Sequence, residues 1–597
     1  MSDPNNFDAD ALRAKYRAER DKRLRADGNE QYVEVKGDFA KYLEDPYVDP
    51  IVREPVADEV PIVIIGGGFG GQMAAARLRE AGIDGFRMIE KGGDFGGTWY
   101  WNRYPGAQCD IESYIYLPLL EEVGYLPKEK YSFAPEILQH ARAIAKHYDL
   151  YRDVLFQTEV TELRWHEDTA RWLVSTNRGD KITARFVVMS NGPLNRPKLP
   201  GIPGVGTFKG HSFHTSRWDY DYTGGGPEGN LTKLGDKRVG IIGTGATAIQ
   251  CVPHLAKAAK HLVVFQRTPS SVDVRGNKPT DPEWAKSLTP GWQRRRMQNF
   301  NILVSGGWQT EDLVNDGWTD IIRKLLVQAQ QDPTKVASPD AATKTLEMAD
   351  FEKMEQIRKR AETLVKDPAT AEALKPYYRQ FCKRPTFNDD YLPSFNRPNV
   401  KLVDTNGQGV ERITEKGIVA NGVDYELDCI VFATGFEVGT GYTRRAGYDM
   451  IGRDGVALSE KWAGGLRTLH GLHTHGFPNM LIMGAQQSAF TANYPHLLQN
   501  QSSHIAYVIG EALKRGARTF EAKKDAEDAW VQTIIDLSRF GRDFLDACTP
   551  GYYNNEGKVE GIAVQNGFYG LGSEPFFKLM AEWRESGKLE GLELKTN

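Results

Sequence analysis

The sequence predicts an α/β fold made of two Rossmann-like dinucleotide-binding domains with an inserted helical subdomain. Two strand–glycine–helix units support this prediction, one beginning at the apolar run 61–65 and the other at 238–242. Residues 277–380 are polar, strand-poor and rich in Lys, Glu, Gln and Ala, which predicts the helical insertion. With 597 residues, of which 40% are apolar, the chain can form more than one buried core.

The first unit reads as a complete βαβ motif. Residues 61–65 are continuously apolar, as is typical of a parallel strand covered on both faces. Gly66, Gly68 and Gly71 follow, and they allow a tight turn, close approach of a pyrophosphate and close helix–strand packing. A helix and a second strand come next, and that strand ends in Glu90, where an acid accepts hydrogen bonds from an adenosine ribose. This unit predicts an FAD site.

The second unit has the same layout but carries no acidic residue at the end of its second strand. After the strand 238–242 comes a glycine segment whose candidate cofactor residues are Gly243, Thr244, Gly245, Ala246, Thr247 and Ala248. At the position of the acid stand Arg267 and Thr268. A cation there pairs with a 2′-phosphate, whereas a carboxylate would repel it. This unit therefore predicts NADPH in preference to NADH.

These units and a further strand at 428–432 predict a discontinuous domain organisation. The expected segments are an N-terminal helical extension (1–55), an FAD-binding domain (56–195 and 428–597), an NADP-binding domain (196–276 and 381–427) and a helical insertion (277–380). The extension contains a charged helix at about 8–25, with acids first and bases last, which we expect to lie on the surface.

Composition excludes several function classes. The net charge of −4 and the lack of a basic block argue against nucleic acid as a partner. Apolar runs are far below the ~20 residues of a membrane helix, and residues 1–6 lack the layout of a signal peptide, so we expect a cytoplasmic protein. The five cysteines are scattered without a CxxC pair, which argues against a zinc site and against a redox disulfide. No residue cluster predicts a metal.

The segment between the two units resembles the FxGxxxHTxxW(P/D) fingerprint of Baeyer–Villiger monooxygenases, flavoenzymes that insert oxygen beside a carbonyl. Its fixed positions are Phe208, Gly210, His214, Thr215, Trp218 and Asp219. Because the segment precedes the second unit, we expect it to lie at the connection between the domains. His214 has two candidate roles, as a general base or as a group that holds the backbone, and we favour the second together with a role in domain gating.

Two further segments carry the same resemblance. Residues 96–106 are similar to the family's GG(T/V)WYWNRYPG run, which implies that Gly97, Thr98 and Trp99 contact the cofactors. Tyr116 is a further candidate cofactor-binding residue. Cys109-Asp110 and the Lys-Arg-Pro segment at 383–385 imply that Arg384 is the catalytic cation, that Asp110 holds it near the flavin, and that Lys383 binds the 2′-phosphate. A fixed guanidinium in a dry site also suits this chemistry because it stabilises developing negative charge.

The C-terminal part completes the resemblance. Residues 433–435 and 477–484 are similar to elements of two-dinucleotide flavoproteins that lie at the domain crossing and at the flavin ring. By the same resemblance, a loop beside the substrate comprises Gln487, Ser488, Ala489 and Phe490. Tyr552 takes the place of a residue that contacts NADP. This variant and the long N-terminal extension are similar to members that act on large cyclic or polycyclic ketones.

The resemblance implies an enzyme that uses FAD, NADPH and O2 to convert a ketone to an ester or lactone through a C4a-peroxyflavin. Three alternatives remain. An N- or S-oxidising flavin monooxygenase shares the fold, although its fingerprint normally ends in a different residue from the Trp218-Asp219 of this chain. A disulfide reductase requires a CxxC pair that the sequence lacks. A flavoprotein that serves only as a scaffold or redox sensor is the third.

Overall fold

The computed structural model of the protein describes residues 7–538 and 541–596. Within them the chain forms two sheets of largely parallel strands flanked by helices, and the predicted fold class is confirmed. Residues 1–6, on which the expectation about a signal peptide rests, lie outside the described residues. Among the described helices, none combines the length and the apolar character that a bilayer-spanning segment needs.

The first domain is built on an eight-stranded sheet centred on Ala57–Ile65. This strand pairs in parallel with Phe86–Ile89 on one side and Lys181–Met189 on the other. Ile64 faces one hydrophobic core and Val63 the opposite one, so the strand is buried on both faces, as its apolar run predicted. The other strands are Val154–Leu155, Val160–His166, Arg171–Thr176, Asp449–Ile451 and Met480–Ile482.

The second domain has a five-stranded sheet in which every neighbouring pair is parallel. In spatial order its strands are Val400–Asp404, His261–Gln266, Arg238–Ile242, Cys429–Phe432 and His211–His214. The predicted boundary at 428 assigned Cys429–Phe432 to the first domain, and this was wrong, because the strand pairs residue by residue with Arg238–Ile242. The other domain limits stay predictions.

Helices cover both sheets and form the predicted insertion. The helices around the sheets include Phe69–Glu80, Ala134–His147, Ala246–Ala258, Tyr494–Lys514, Lys524–Ser538 and Ser573–Ser586. Those of the insertion are Pro282–Ser287, Trp292–Val304, Asp320–Gln331, Pro339–Leu364 and Pro368–Ala373. Smaller sheets pair Thr519–Ala522 with Leu592–Lys595, and Gly417–Ala420 with Arg412–Thr414 and Val423–Glu426.

The N-terminal extension is docked on the second domain. Its helix, Ala9–Asp21, begins at Asp8, whose carboxylate accepts two backbone N–H groups of the first turn. Tyr16 is buried and packs edge to face on Phe351 of the insertion, with ring centroids 5.5 Å apart. Further along, Tyr32–Val33 pairs antiparallel with Leu199–Pro200. The extension therefore covers second-domain surface rather than only facing solvent.

Cys382 and Cys548 form a disulfide, which corrects the expectation drawn from the scattered cysteines. The two residues are 166 positions apart in sequence, and their Cα atoms lie 5.0 Å apart in the fold. Spacing along the chain carries no trace of such a pairing. The bond joins the segment before Lys383 to the C-terminal segment before Tyr552. The other three cysteines are free and buried.

Candidate active site

A cavity of about 1760 Å³ lies where the central strands of the two sheets end. Ile65 and Ile242, the last residues of those strands, both line it. The carboxyl ends of parallel strands are the usual place for a nucleotide in such folds. The predicted cofactor and catalytic residues that line the cavity are Gly66, Gly68, Glu90, Gly97, Thr98, Trp99, Asp110, Tyr116, Gly243, Thr244, Gly245, Ala246, Thr247, Arg267, Thr268, Lys383, Arg384 and Tyr552.

The first glycine loop has no room for a side chain at Gly66 or at Gly71. Gly66 has φ +107°, and a Cβ there would lie 2.3 Å from the carbonyl oxygen of Ser190. A Cβ at Gly71 would lie 1.9 Å from the carbonyl oxygen of Gly66. Gly71 thus lies behind the loop and packs the helix Phe69–Glu80 against the strand. The N-terminus of that helix points free N–H groups towards the cavity, where an anionic phosphate is favoured.

Glu90 is buried under the same loop. Its two carboxylate oxygens accept hydrogen bonds of 2.6 Å from the backbone N–H groups of Gly67 and Gly92. Burial raises the pKa of this carboxyl, and the two backbone hydrogen bonds act against the rise. Glu90 therefore fixes the loop itself, and it also lines the cavity, where the predicted contact with a ribose stays a prediction.

The second glycine loop is built in the same way and has cations beside it. Gly243 has φ +111°, and a Cβ there would lie 2.4 Å from the carbonyl oxygen of Ala433. The Thr244 hydroxyl donates to the carbonyl oxygen of Thr268 (2.7 Å), so the loop is tied to the end of the next strand. Ala248 is fully buried in the helix behind the loop. Arg267 and Thr268 line the cavity at this end.

Lys383 is the third polar group at this end. Its ammonium donates to the carbonyl oxygen of Pro550 (2.8 Å). Burial lowers the pKa of Lys383 to about 8, and the positive charge of Arg267 contributes to the lowering. The cation set expected for a 2′-phosphate is therefore brought together from residues more than a hundred positions apart.

Arg384 and Asp110 form a bidentate ion pair in the cavity wall. Nε and Nη2 of the guanidinium donate to the two carboxylate oxygens at 2.9 and 2.6 Å. The Asp110 side chain is 13% exposed, whereas that of Arg384 is 33% exposed. Burial alone would lower the pKa of Arg384, but the carboxylate outweighs it and holds that pKa well above its usual value. The guanidinium is permanently charged and open to the cavity.

Residues outside any recognised motif hold this pair in place. Trp318 of the helical insertion donates from its indole N–H to the carbonyl oxygen of Asp110 (2.8 Å), and its ring lies 5.4 Å from the guanidinium carbon of Arg384. Arg275 is buried and donates to the carbonyl oxygens of Cys109 (2.6 Å) and Phe387 (2.7 and 2.9 Å). A lone Trp or Arg carries no sequence signal of this kind, and both were missed.

The aromatic block 96–106 is buried rather than a surface loop. Trp99 donates from its indole N–H to the hydroxyl of Tyr116 (3.0 Å), which places both predicted residues in one contact. Trp101 lies under the guanidinium of Arg217, 3.7 Å from its carbon to the ring centroid. Arg217 occupies a variable position of the fingerprint, so the two motifs pack against each other.

The fingerprint positions Phe208, Gly210, His214, Thr215, Trp218 and Asp219 do not appear among the described residues that line the cavity. The segment supplies the edge strand His211–His214 of the second sheet. His214 is fully buried, its Nδ1 lies 2.8 Å from the Ser216 hydroxyl, and burial lowers its pKa to about 3. The Asp219 carboxylate lies 2.9 Å from His211 Nε2. This geometry supports a structural role over a general base.

The predicted substrate loop needs correction. Gln487, Ser488 and Ala489 are fully buried and, among the described residues, are absent from the cavity wall. Gln487 has φ +54°, and its amide donates to the carbonyl oxygens of Leu466 and Gln565, so it faces into the protein. Phe490 does line the cavity and is 44% exposed. Loop geometry of this kind is invisible in the sequence.

Much of the remaining wall is apolar and was also missed. It is formed by side chains from the C-terminal half, including Leu466, Leu537, Ile562, Val564 and Phe568. These residues belong to different helices and loops and follow no common spacing. They give the cavity a large apolar part.

The residues fit two dinucleotides. A Cβ at the first glycine of each loop would clash with backbone, so both loops keep a tight turn, and each loop precedes a helix N-terminus that favours phosphate. The first site has the Glu90 carboxylate beside it, and the second has Arg267, Thr268 and Lys383. A carboxylate suits a ribose hydroxyl, and cations suit a 2′-phosphate. The donor sets therefore match FAD at the first site and NADP at the second.

Comparisons with known proteins agree with this geometry. A family model described as pyridine nucleotide-disulphide oxidoreductase matches residues 63–298. Neopentalenolactone D synthase of Streptomyces avermitilis is 55% identical over 591 residues, which cover 98% of this chain and 99% of that protein. Baeyer-Villiger monooxygenase ATR8 of Stachybotrys chlorohalonatus is 50% identical, with 99% and 95% covered.

Solved structures give the same result. The polycyclic ketone monooxygenase from Thermothelomyces thermophila superimposes with a TM-score of 0.91 at 40% identity and covers 98% of this chain and 99% of its own. A steroid monooxygenase bound to NADP superimposes with a TM-score of 0.73 at 30% identity, with 90% and 100% covered. The chain therefore belongs to the Baeyer–Villiger monooxygenases, which use FAD and NADPH to insert one oxygen atom of O2 beside a ketone carbonyl.

Proposed function

We propose that this enzyme oxidises large cyclic or polycyclic ketones to esters or lactones, and that Arg384 supplies the positive charge at the reaction centre. The observation that carries the proposal is the bidentate Arg384–Asp110 pair in the wall of the cavity between the two nucleotide sites. The large apolar part of the cavity supports the substrate class. Relatives named pentalenolactone D synthase and polycyclic ketone monooxygenase point the same way.

The two glycine loops would hold the cofactors. FAD would lie against Gly66, Gly68 and Glu90, and NADP against the loop at 243–247 with Arg267 at its 2′-phosphate. When bound, the flavin supplies the oxygen-activating chemistry and NADPH supplies the reducing equivalents. The protein contributes position, charge and exclusion of water.

Arg384 would act on the oxygen that becomes negative when a ketone carbonyl is attacked. A fixed guanidinium stabilises such an oxygen far better in a sheltered cavity than in water, because little solvent screens it. Asp110 binds Nε and Nη2, so the remaining Nη1 face is available to the cavity. Trp318 and Arg275 hold the backbone on both sides of Asp110, which fixes the orientation of the pair.

The apolar wall would select the substrate. Phe490 and Phe568 pack against each other with ring centroids 4.8 Å apart, and both line the cavity. A fused-ring ketone buries apolar surface against such a wall, at ~25 cal/mol for each Å² removed from water. A charged amine gains nothing there and loses its hydration.

The test is the variant Arg384→Ala, assayed for product with a polycyclic ketone and with a sulfide. We expect it to keep FAD, seen in its absorbance, and to lose at least about 100-fold in ester formation, the cost of removing one oxyanion-stabilising group. Arg164→Ala, which removes an exposed arginine paired with Glu162, serves as the control and should keep full activity.

Ester formation by Arg384→Ala at the rate of the unaltered enzyme would overturn the assigned role. Faster turnover of the sulfide than of every ketone tested would overturn the substrate class and favour the S-oxidising alternative.

A further inference from the structure

The N-terminal arm, defined as residues 9–33, reaches the second nucleotide site. Gln31 and Tyr32 line the cavity together with Arg267 and Thr268. The arm arrives there after its helix has packed on the insertion through Tyr16. It is thus part of the wall at the end where the 2′-phosphate of NADP is expected.

Gln31 holds the side chain of Arg267. Its amide oxygen accepts a hydrogen bond of 2.6 Å from Nη1 of the guanidinium, and its amide nitrogen donates to the carbonyl oxygen of Gly28 (2.6 Å). Both the oxygen and the nitrogen of the Gln31 amide are therefore hydrogen-bonded, which fixes its orientation. A neutral acceptor orients the arginine and adds no negative charge to that of Glu556, whose carboxylate lies 3.9 Å from Nη2 of Arg267.

Arg23 holds the backbone and hydroxyl next to it. Its Nε donates to the carbonyl oxygen of Arg267 (3.2 Å) and to the hydroxyl of Thr268 (3.0 Å). Its Nη1 donates to the carboxylate of Glu19 on the arm helix (2.7 Å). Arg23 is 8% exposed and does not line the cavity, so it acts through the two residues that do.

The arm is fastened on the opposite side as well. Lys198 places its ammonium 3.8 Å from the ring centroid of Tyr32. Asn29 donates to the side chain of Asn555 (2.8 Å), and Lys558 donates to the carbonyl oxygen of Ala26 (2.8 Å). The contacts of Asn555 and Lys558 tie the arm to the C-terminal segment that carries Tyr552.

We propose that the N-terminal arm is a specificity element for the nicotinamide cofactor, in which Gln31 and Arg23 are positioning residues that aim Arg267 and Thr268 at the 2′-phosphate. The proposal rests on the proposed role of Arg267. It gives the extension a defined purpose in cofactor selection rather than a purely structural one.

The main experiment measures kcat/KM for NADPH and for NADH with the holoenzyme. Gln31→Glu should lower the NADPH:NADH ratio by about 10-fold or more, since the new carboxylate pairs with Arg267 and repels phosphate. Gln31→Ala should lower it several-fold, and Arg23→Gln likewise. The KM for NADPH should rise in all three variants, while kcat with saturating NADPH stays within about twofold, because the change acts on ground-state binding.

A second readout separates phosphate recognition from general damage. Competitive inhibition by 2′,5′-ADP should weaken in Gln31→Glu, whereas inhibition by 5′-AMP should not change. Arg13→Gln is the matched control, because it removes an arm arginine that pairs with Glu347 and lies away from the cavity. It should leave the cofactor ratio and both inhibition constants unchanged.

Four outcomes would overturn the proposal. An unchanged ratio in Gln31→Glu, with a lowered ratio in Arg267→Ala, would overturn the role of the arm and keep that of Arg267. An unchanged ratio in both would overturn the phosphate assignment itself. Equal weakening of 2′,5′-ADP and 5′-AMP, or an effect of Arg13→Gln as large as that of Gln31→Glu, would show a structural role only and would also overturn the proposal.

Discussion

Lys383 and Arg384 are neighbours that respond to burial in opposite ways. Lys383 donates to a neutral carbonyl group, so burial lowers its pKa to about 8. Arg384 is paired with a carboxylate, so its pKa is raised and its charge is permanent. Lys383 can therefore be titrated near neutral pH, while Arg384, at the proposed reaction centre, cannot.

The titration of Lys383 predicts a pH dependence of cofactor binding. As the pH rises through about 8, the ammonium loses its proton and one positive charge disappears from the proposed phosphate site. The kcat/KM for NADPH, which reports the free enzyme, should then fall, while that for NADH should be less affected. Steady-state kinetics between pH 6.5 and 9.5 measure this.

Lys383→Arg keeps its positive charge over that pH range and serves as the control. Its kcat/KM for NADPH should therefore not fall as the pH rises through about 8. The same fall in Lys383→Arg as in the unaltered enzyme would assign the titration to another group.

At the scale of elements, sequence patterns predicted what depends on local spacing. The strand at 61–65 and the glycine loops were found because their chemistry lies in consecutive residues. The strand Cys429–Phe432 was recognised but placed in the wrong domain, since its partner Arg238–Ile242 lies nearly two hundred residues earlier. The prediction for the loop 487–490 failed at Gln487, Ser488 and Ala489, because these side chains are buried in the protein, and Gln487 has a left-handed backbone conformation that the sequence does not indicate.

The fingerprint is an element that we expect to stabilise rather than to react. Trp218 is fully buried and donates from its indole N–H to the Thr223 hydroxyl (3.1 Å). Trp218→Ala should therefore lower the free energy of unfolding by about 3–5 kcal/mol, as a large buried aromatic does. Thermal unfolding followed by flavin fluorescence measures it.

Trp218→Phe keeps most of the apolar volume and should cost clearly less. An unchanged melting temperature in Trp218→Ala, with ester formation abolished, would instead place the residue in the chemistry.

At the scale of the whole molecule, the sequence could not reveal the contacts between segments that lie far apart in the chain. The motifs predicted the Arg384–Asp110 pair only because a related family supplied the correspondence. The disulfide between Cys382 and Cys548, the indole of Trp318 and the contact of Gln31 with Arg267 each join segments with no local pattern. Contacts of this kind can be identified only once the complete fold is known.

The disulfide should stabilise the protein as a whole. A cross-link that closes a loop of this length contributes about 2–5 kcal/mol. Adding a reductant should therefore lower the apparent melting temperature by several degrees, in scans at a fixed rate. The double variant Cys382→Ala/Cys548→Ala should melt at the lower temperature with or without reductant. Equal sensitivity of both proteins to the reductant would contradict the pairing.

The ion pair between Arg384 and Asp110 has one more consequence, since Asp110 follows the first glycine unit of the chain and Arg384 follows the helical insertion. A motion that moved Asp110 away from Arg384 would break both of these hydrogen bonds at once. The guanidinium would then lose the orientation that its proposed role at the reaction centre requires, so the geometry of this one pair links the arrangement of the two segments to the proposed chemistry.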